Sequence, residues 1–149
     1  KTYVAKWLGG QVINAGKKVS LLTMLDLVAI LMKASDGFTD KKDVSDEFLY
    51  VDSADLVIVD DAFDKDRINV WKSGYQLQFL DSFIRKRKTA GKGLVFVSRF
   101  PPEEIVQQGF SESIQATVSR EVNLKKTLLK FEDSYESNML NPKGLFEDD

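Results

Sequence analysis

Two acidic residues, Asp60 and Asp61, stand directly after the unbroken apolar run Leu56-Val57-Ile58-Val59. An apolar, mostly β-branched run of this kind suits a strand covered on both faces, as in a parallel sheet. Ligands of open α/β sheets sit beyond the carboxyl ends of the strands, so the two carboxylates are expected where a nucleotide and its metal ion could lie. In such a pattern the first acid, Asp60, helps to hold Mg²⁺, and the second, Asp61, acts as the base that orients an attacking water. The same pair also suits a simple turn that caps the next helix, or a phospho-acceptor pocket built from acids at strand ends.

Further residues could serve the same chemistry. Lys1 and Thr2 open the chain and lead straight into a helical pattern, like the last two residues of G-x-x-x-x-G-K-[ST]. In that motif the Lys reaches the outer phosphates and the hydroxyl binds Mg²⁺. Ser98 and Arg99 end a second apolar run, Leu94 to Val97, and would face the same crevice as Asp60 and Asp61. Phe38 beside Lys41 and Lys42 could stack a base and meet a phosphate of single-stranded DNA, or Phe38 could simply pin a loop. Arg85, Lys86, Arg87 and Lys88 form the most concentrated run of cations. They suit contact with a nucleic-acid backbone, or the ordinary complement of a helix dipole.

Composition narrows what else is possible. The 149 residues are 43% hydrophobic, which is the size of one ordinary domain with a real core. With 21 basic and 23 acidic residues the formal net charge is −2, so any nucleic-acid contact is a local patch and not a global field. Cysteine and histidine are absent, which removes disulfides, thiol and imidazole catalysis and the usual zinc sites. The remaining chemistry must run on carboxylates, Lys, Arg, hydroxyls and a bound ion. No apolar stretch reaches the roughly 20 residues that span a bilayer, and the first ten residues lack a signal-peptide pattern. A soluble cytoplasmic protein with no membrane partner is expected.

The elements that must position these residues follow from periodicity. Tyr3, Val4, Trp7, Leu8 and Val12 recur at helical spacing, which predicts a helix over Thr2–Asn14 closed by Gly16. Lys18–Thr23 reads as a strand, and Met24–Ala34 as an amphipathic helix carrying Leu25, Val28, Ala29, Leu31 and Met32. Ser35–Glu47 is polar and reads as a loop or short insertion. After the Leu56 strand and its acids, Ala62–Lys72 is polar and Gly74–Lys88 reads as a helix, followed by the Leu94–Ser98 strand. A short helix is expected to begin at Glu103, another helical face over Phe110–Val122 with Arg120 projecting from it, and a last strand over Thr127–Phe131. The chain thus divides into a core over 1–133 and a polar tail over 134–149.

This order of elements resembles the AAA+ ATPases, and within them the DnaC/DnaI-type replicative helicase loaders with their IstB-type transposition relatives. The residues that carry the resemblance are Lys1-Thr2, Leu56 to Asp61, Leu94 to Arg99, Val118 to Arg120 and Phe131 to Tyr135, which span nearly the whole chain. The resemblance implies an α/β P-loop fold, a parallel sheet sandwiched by helices, that binds and hydrolyses ATP with Mg²⁺ in DNA replication. Lys1 and Thr2 match the end of the family's Walker A motif, and Asp60 and Asp61 its Walker B acids. Ser98-Arg99 matches the sensor of the γ-phosphate, with Arg99 where Asn is usual. Arg120 matches the Arg that acts as a finger on a neighbouring subunit's nucleotide, so self-association is implied, with a replicative helicase and single-stranded DNA as partners. Glu136 replaces the family's Arg after D-S-Y. The first strand and the glycine-rich loop of the family are not in the sequence. The expectation is that residues precede Lys1, since that strand lies mid-sheet and its absence leaves two strands unpaired. Three other readings stay open: a nucleotide-gated DNA- or helicase-binding module with weak hydrolysis, an IstB-like transposition ATPase, and a structural domain with no nucleotide site.

Overall fold

The computed structural model describes residues 1–35, 45–67 and 74–130. In chain order they form α1 (Thr2–Asn14), β1 (Val19–Thr23), α2 (Met24–Ser35), α3 (Asp46–Ser53), β2 (Leu56–Ala62), α4 (Gly74–Thr89), β3 (Gly93–Ser98) and α5 (Glu112–Lys125), with a 3₁₀ turn at Pro102–Glu104. The strands make one parallel sheet in the order β1-β2-β3, with Val19 opposite Leu56 and Leu56 opposite Gly93. The protein is therefore an α/β fold whose parallel sheet is flanked by helices. Among the described residues no helix is long and apolar enough to cross a membrane.

The β2 run explains the layering. Alternate side chains of a strand point to opposite faces, and here both faces are covered. Leu56 and Ile58 pack with Ala5 of α1, joined by Val12, Val19, Val95 and Val97. Val57 and Val59 belong to the larger core on the other face, with Leu27, Val28 and Leu31 of α2, Leu80, Phe83 and Ile84 of α4, and Ile114 and Val118 of α5. A strand buried on both faces has no room for polar residues until it emerges, and β2 emerges at Asp60.

The α1 helix has its expected span, but it buries a different face. Tyr3 and Trp7 are exposed, and the buried positions are Ala5 and Gly9. Small residues let the helix axis lie close to the sheet: a Cβ on Gly9 would come within 3.1 Å of Ile58 Cδ1 and 3.4 Å of Val19 Cγ1. Gly9→Val is accordingly expected to push α1 outward and to lower stability by about 1–3 kcal/mol, the usual cost of overpacking, read as a lower urea midpoint. The helix ends as the sequence suggests. Gly16 adopts φ +80°, and the Gly16 and Lys17 N–H groups return to the carbonyls of Ile13 and Val12, which is a Schellman closure.

Two elements depart from the sequence reading. The polar stretch expected to be a loop as far as Glu47 instead starts α3 at Asp46, capped by Ser45, whose hydroxyl accepts the Phe48 N–H at 3.2 Å. The signal was present as a Ser N-cap followed by two acids in the first turn. Conversely, Thr127–Lys130 of the expected last strand forms no ladder, and Phe131 lies outside the described residues. A strand needs a neighbour to satisfy its backbone groups, and none lies beside this segment among the described residues. Among the described residues β3 is also paired on one side only, with β2. Between β3, α1, α5 and residues 127–130 runs an apolar trough of about 890 Å³, lined by Val4, Ala5, Leu8, Phe96, Val118 and Leu128 among others. The expected polar tail, 134–149, lies outside the described residues, as does most of the insertion after Ser35.

Candidate functional site

The carboxyl ends of all three strands lie together. Thr23 at the end of β1 is opposite Asp60 on β2, and Ala62 is opposite Ser98 on β3. Onto this edge the amino end of α1 brings Thr2. Its hydroxyl donates to the Asp60 carboxylate, at 3.4 Å from Oδ1 and 3.3 Å from Oδ2. These two residues are 58 positions apart in the chain, and α1 packing on the sheet through Ala5 and Gly9 is what brings them together.

The turn after β2 is conformationally specialised. Asp61 (φ +49°) and Phe63 (φ +57°) are both left-handed, although neither is glycine. Such a conformation costs a non-glycine residue on the order of 1 kcal/mol or more, and it persists only where the surroundings impose it. They do so here. The Phe63 ring is fully buried, with its centroid 4.8 Å from that of Phe96 and 5.2 Å from that of Phe110. Its N–H donates to the Met24 thioether at 3.2 Å, tying the turn to the start of α2. The Asp61 N–H donates to Asp60 Oδ1 at 2.9 Å. The register slips between Val59 and Ala62, so this irregularity presents both acids at the strand end instead of sending one into each face.

Among the described residues no group of three or more acids is arranged to hold a metal ion. Mg²⁺ does not require one. It is commonly held by one or two carboxylates, with phosphate oxygens and waters filling an octahedron of radius about 2.1 Å, in which neighbouring oxygens lie about 3 Å apart. The Thr2 and Asp60 oxygens are separated by about this distance and are only partly buried, so the pair fits such an ion.

Lys1 is exposed at the amino end of α1, where no side chain caps the helix. A helix start with unpaired N–H groups and a lysine favours an anion. Lys1, Ser98 and Arg99 all line the mouth side of the trough beside β3, whereas Thr2, Asp60 and Asp61 do not line it. Ser98 is occupied locally: its hydroxyl donates to the Phe100 carbonyl at 2.9 Å and accepts the Phe100 N–H at 3.0 Å. Arg99 lies over the Phe100 ring, 5.7 Å from its centroid, and contacts Asp64 Oδ2 at 3.4 Å. Arg120 is exposed on α5 and does not itself line the trough.

The run of four cations does not form one patch. Arg87 is buried, at 3% exposure, and its guanidinium donates to the carbonyls of Val51, Ala54 and Gly93 at 2.8–3.3 Å. It therefore cannot meet a nucleic-acid backbone, and this corrects the reading of Arg87 as a nucleic-acid residue. Burial pulls its pKa below the ordinary arginine value, while Asp52 and Asp55 pull it part of the way back. Arg85 bonds Asp81 at 3.1 Å and Ser113 at 2.7 Å. Lys88 meets Glu121 at 2.7 Å and, with Lys125, holds that carboxyl below the usual carboxylate range. Lys86 is exposed. Periodicity around the helix divides the run, since successive residues differ by about 100° in direction. Phe38, Lys41 and Lys42 lie outside the described residues. No protein-family model, curated protein or solved structure matches the chain.

Proposed function

We propose that the protein binds and hydrolyses Mg-ATP as a P-loop ATPase of the AAA+ kind and works as a cytoplasmic helicase loader in DNA replication. The observation that carries the nucleotide reading is the meeting of the Thr2 hydroxyl with the Asp60 carboxylate across 58 residues. A hydroxyl at a helix start facing an acid at a strand end is the donor set that a magnesium-bound triphosphate requires. The loader role, with a replicative helicase and single-stranded DNA as partners, rests on the resemblance alone.

In this reading Lys1 and the free N–H groups of α1 hold the outer phosphates, and Thr2 and Asp60 supply the oxygens for Mg²⁺. A magnesium ion held by Thr2 and Asp60 would supply charge neutralisation at the phosphates. Asp61 accepts a proton from water, the water oxygen bonds to the γ-phosphorus, and the bond from that phosphorus to the bridging oxygen breaks, leaving ADP and phosphate. Catalysis of this kind is mostly positioning and charge stabilisation. The left-handed turn at Asp61 and Phe63 suits it, because its geometry is fixed before substrate arrives. Arg120, exposed on α5, would complete a neighbouring subunit's site in a self-assembled form.

A second reading, a nucleotide-gated module with weak hydrolysis, is favoured by one observation. Both residues at the end of β3 already have partners, Ser98 in Phe100 and Arg99 in Asp64. Calorimetric titration of the full-length protein with Mg-ATP, beside Lys1→Ala, tests the nucleotide reading shared by both. Binding should weaken by about tenfold to a hundredfold in the variant, the loss expected when a bound phosphate loses a charged hydrogen-bond donor. Equal affinity in the two proteins, or none in either, would return Asp60 and Asp61 to a capping turn.

A further inference from the structure

Periodicity assigns Tyr3 and Trp7 to the buried face of α1, yet the helix turns them outward, leaving Tyr3 81% and Trp7 58% exposed. Burial of either ring would stabilise the protein, so their shared exposure forfeits stability and marks a surface. Successive residues differ by about 100° around a helix, which sets each ring about 160° from the buried Ala5 and the two within about 40° of each other. They stand about 6 Å apart along the axis, close to one turn. Lys6, also exposed, lies about 60° round from Tyr3. None of these three residues lines the trough beside β3.

The charge of this segment has one sign. Lys1, Lys6, Lys17 and Lys18 are all exposed, and no acid precedes Asp26. Asp55 accepts the Lys18 N–H at 2.9 Å, so the positive charge of the patch rests on Lys6 and Lys17, with Lys1 at the helix start. Exposed rings beside cations suit sequence-tolerant binding of a single strand, in which every base offers a π-face and every phosphate a charge. We propose that the outer face of α1 binds single-stranded nucleic acid, with bases stacked on Tyr3 and Trp7 and phosphates met by Lys6 and Lys17. A lipid surface fits less well. The outward stripe continues through Gly10 and Asn14, where a helix lying in a membrane interface would present further apolar side chains, and Leu8 and Ile13 fall about 100° or more to either side of it. A duplex fits less well too, because its bases already stack on one another. Thr2, which meets Asp60, lies about 100° round the helix from Tyr3, so this surface does not depend on the nucleotide reading.

Trp7 supplies its own reporter. In the full-length protein carrying Trp71→Phe it is the only tryptophan left. Its fluorescence should be quenched as thymidine or uridine oligomers of about 12 nucleotides are added, since a stacked base lies against the indole. The tighter-bound oligomer tells a DNA source from an RNA one. Measured by anisotropy of a labelled oligomer, Trp7→Ala and Tyr3→Ala should each weaken binding by about tenfold. Their urea midpoints should not change, because both rings are exposed. Lys6→Gln should lower the slope of log affinity against log salt by about 0.7, the share of one phosphate contact on a single strand. A duplex of the same length should bind more weakly. Where Trp71→Phe fails to fold, the anisotropy series carries the test. Absent binding of both oligomers, unchanged affinity in both ring variants, an unquenched Trp7, or tighter binding of the duplex would overturn the proposal. So would Trp7 fluorescence that responds to phosphatidylserine vesicles and not to the oligomers, which would make this face a membrane surface.

Discussion

Asp61→Asn should lower ATP turnover by about 10²–10⁴-fold while Mg-ATP binding persists, since a positioned general base contributes on that order. The substitution is suited to the question because it changes charge and little else. Asp61 sits at φ +49°, a region that Asn tolerates as well as Asp does. The Asp61 N–H that bonds Asp60 Oδ1 at 2.9 Å belongs to the backbone and remains. Folding stability should therefore stay within about 0.5 kcal/mol, as for surface changes that disturb no special feature. Steady-state phosphate release, measured beside calorimetric Mg-ATP binding, separates the outcomes. Lost turnover with retained binding supports an ATPase with Asp61 as base. Absent turnover in both proteins with retained binding supports the nucleotide-gated module, and unchanged turnover would remove Asp61 from the chemistry.

Arg87→Met should destabilise the protein by about 2–4 kcal/mol, the order expected when buried carbonyls lose a charged donor. The guanidinium ties together three segments: the end of α3 through Val51, the residue after it through Ala54, and the start of β3 through Gly93. Methionine keeps an unbranched apolar side chain but removes both the hydrogen bonds and the guanidinium that lies over Phe83, 5.8 Å from its ring centroid. The Val51 carbonyl keeps the Ala54 N–H at 3.3 Å, whereas those of Ala54 and Gly93 lose the guanidinium in a site that excludes most water. Arg87→Lys should recover less than half of the loss, because one ammonium cannot reproduce the planar fork. Urea unfolding gives both numbers. A loss below about 1 kcal/mol in Arg87→Met would mean that water or other groups take over the carbonyls.

The two experiments probe different parts of one arrangement. The Arg87 clamp fixes where β3 begins, and the packed turn through Phe63 fixes where β2 ends. Between them the sheet presents Asp60, Asp61, Ser98 and Arg99 along one edge, and Gly9 lets α1 approach closely enough for Thr2 to reach Asp60.

Much of this was legible in the residues themselves. The spans of α1 and α4, the β2 run and its two acids, and β3 follow from periodicity and from Gly16 and Gly91 as stops, because each depends on residues within a turn or two of one another. The meeting of Thr2 with Asp60 was legible only as a pairing of motifs. Its geometry depends on Ala5 and Gly9, which carry little hydrophobic signal and whose face loses to Tyr3 and Trp7 in any count of apolar residues. The fate of the cations was not legible at all. Arg87 and Lys86 are neighbours of the same charge, yet one is buried against carbonyls as far as 36 residues away and the other is exposed. Asp64 and Arg99 are 35 residues apart and meet only because β2 and β3 pair. Thr127–Lys130 has the composition of a strand but no neighbour to pair with among the described residues. Local sequence fixes backbone preference and the period of burial; the partner of a charge or of a strand edge is chosen by whichever distant segment the fold sets beside it, and that belongs to the tertiary structure alone.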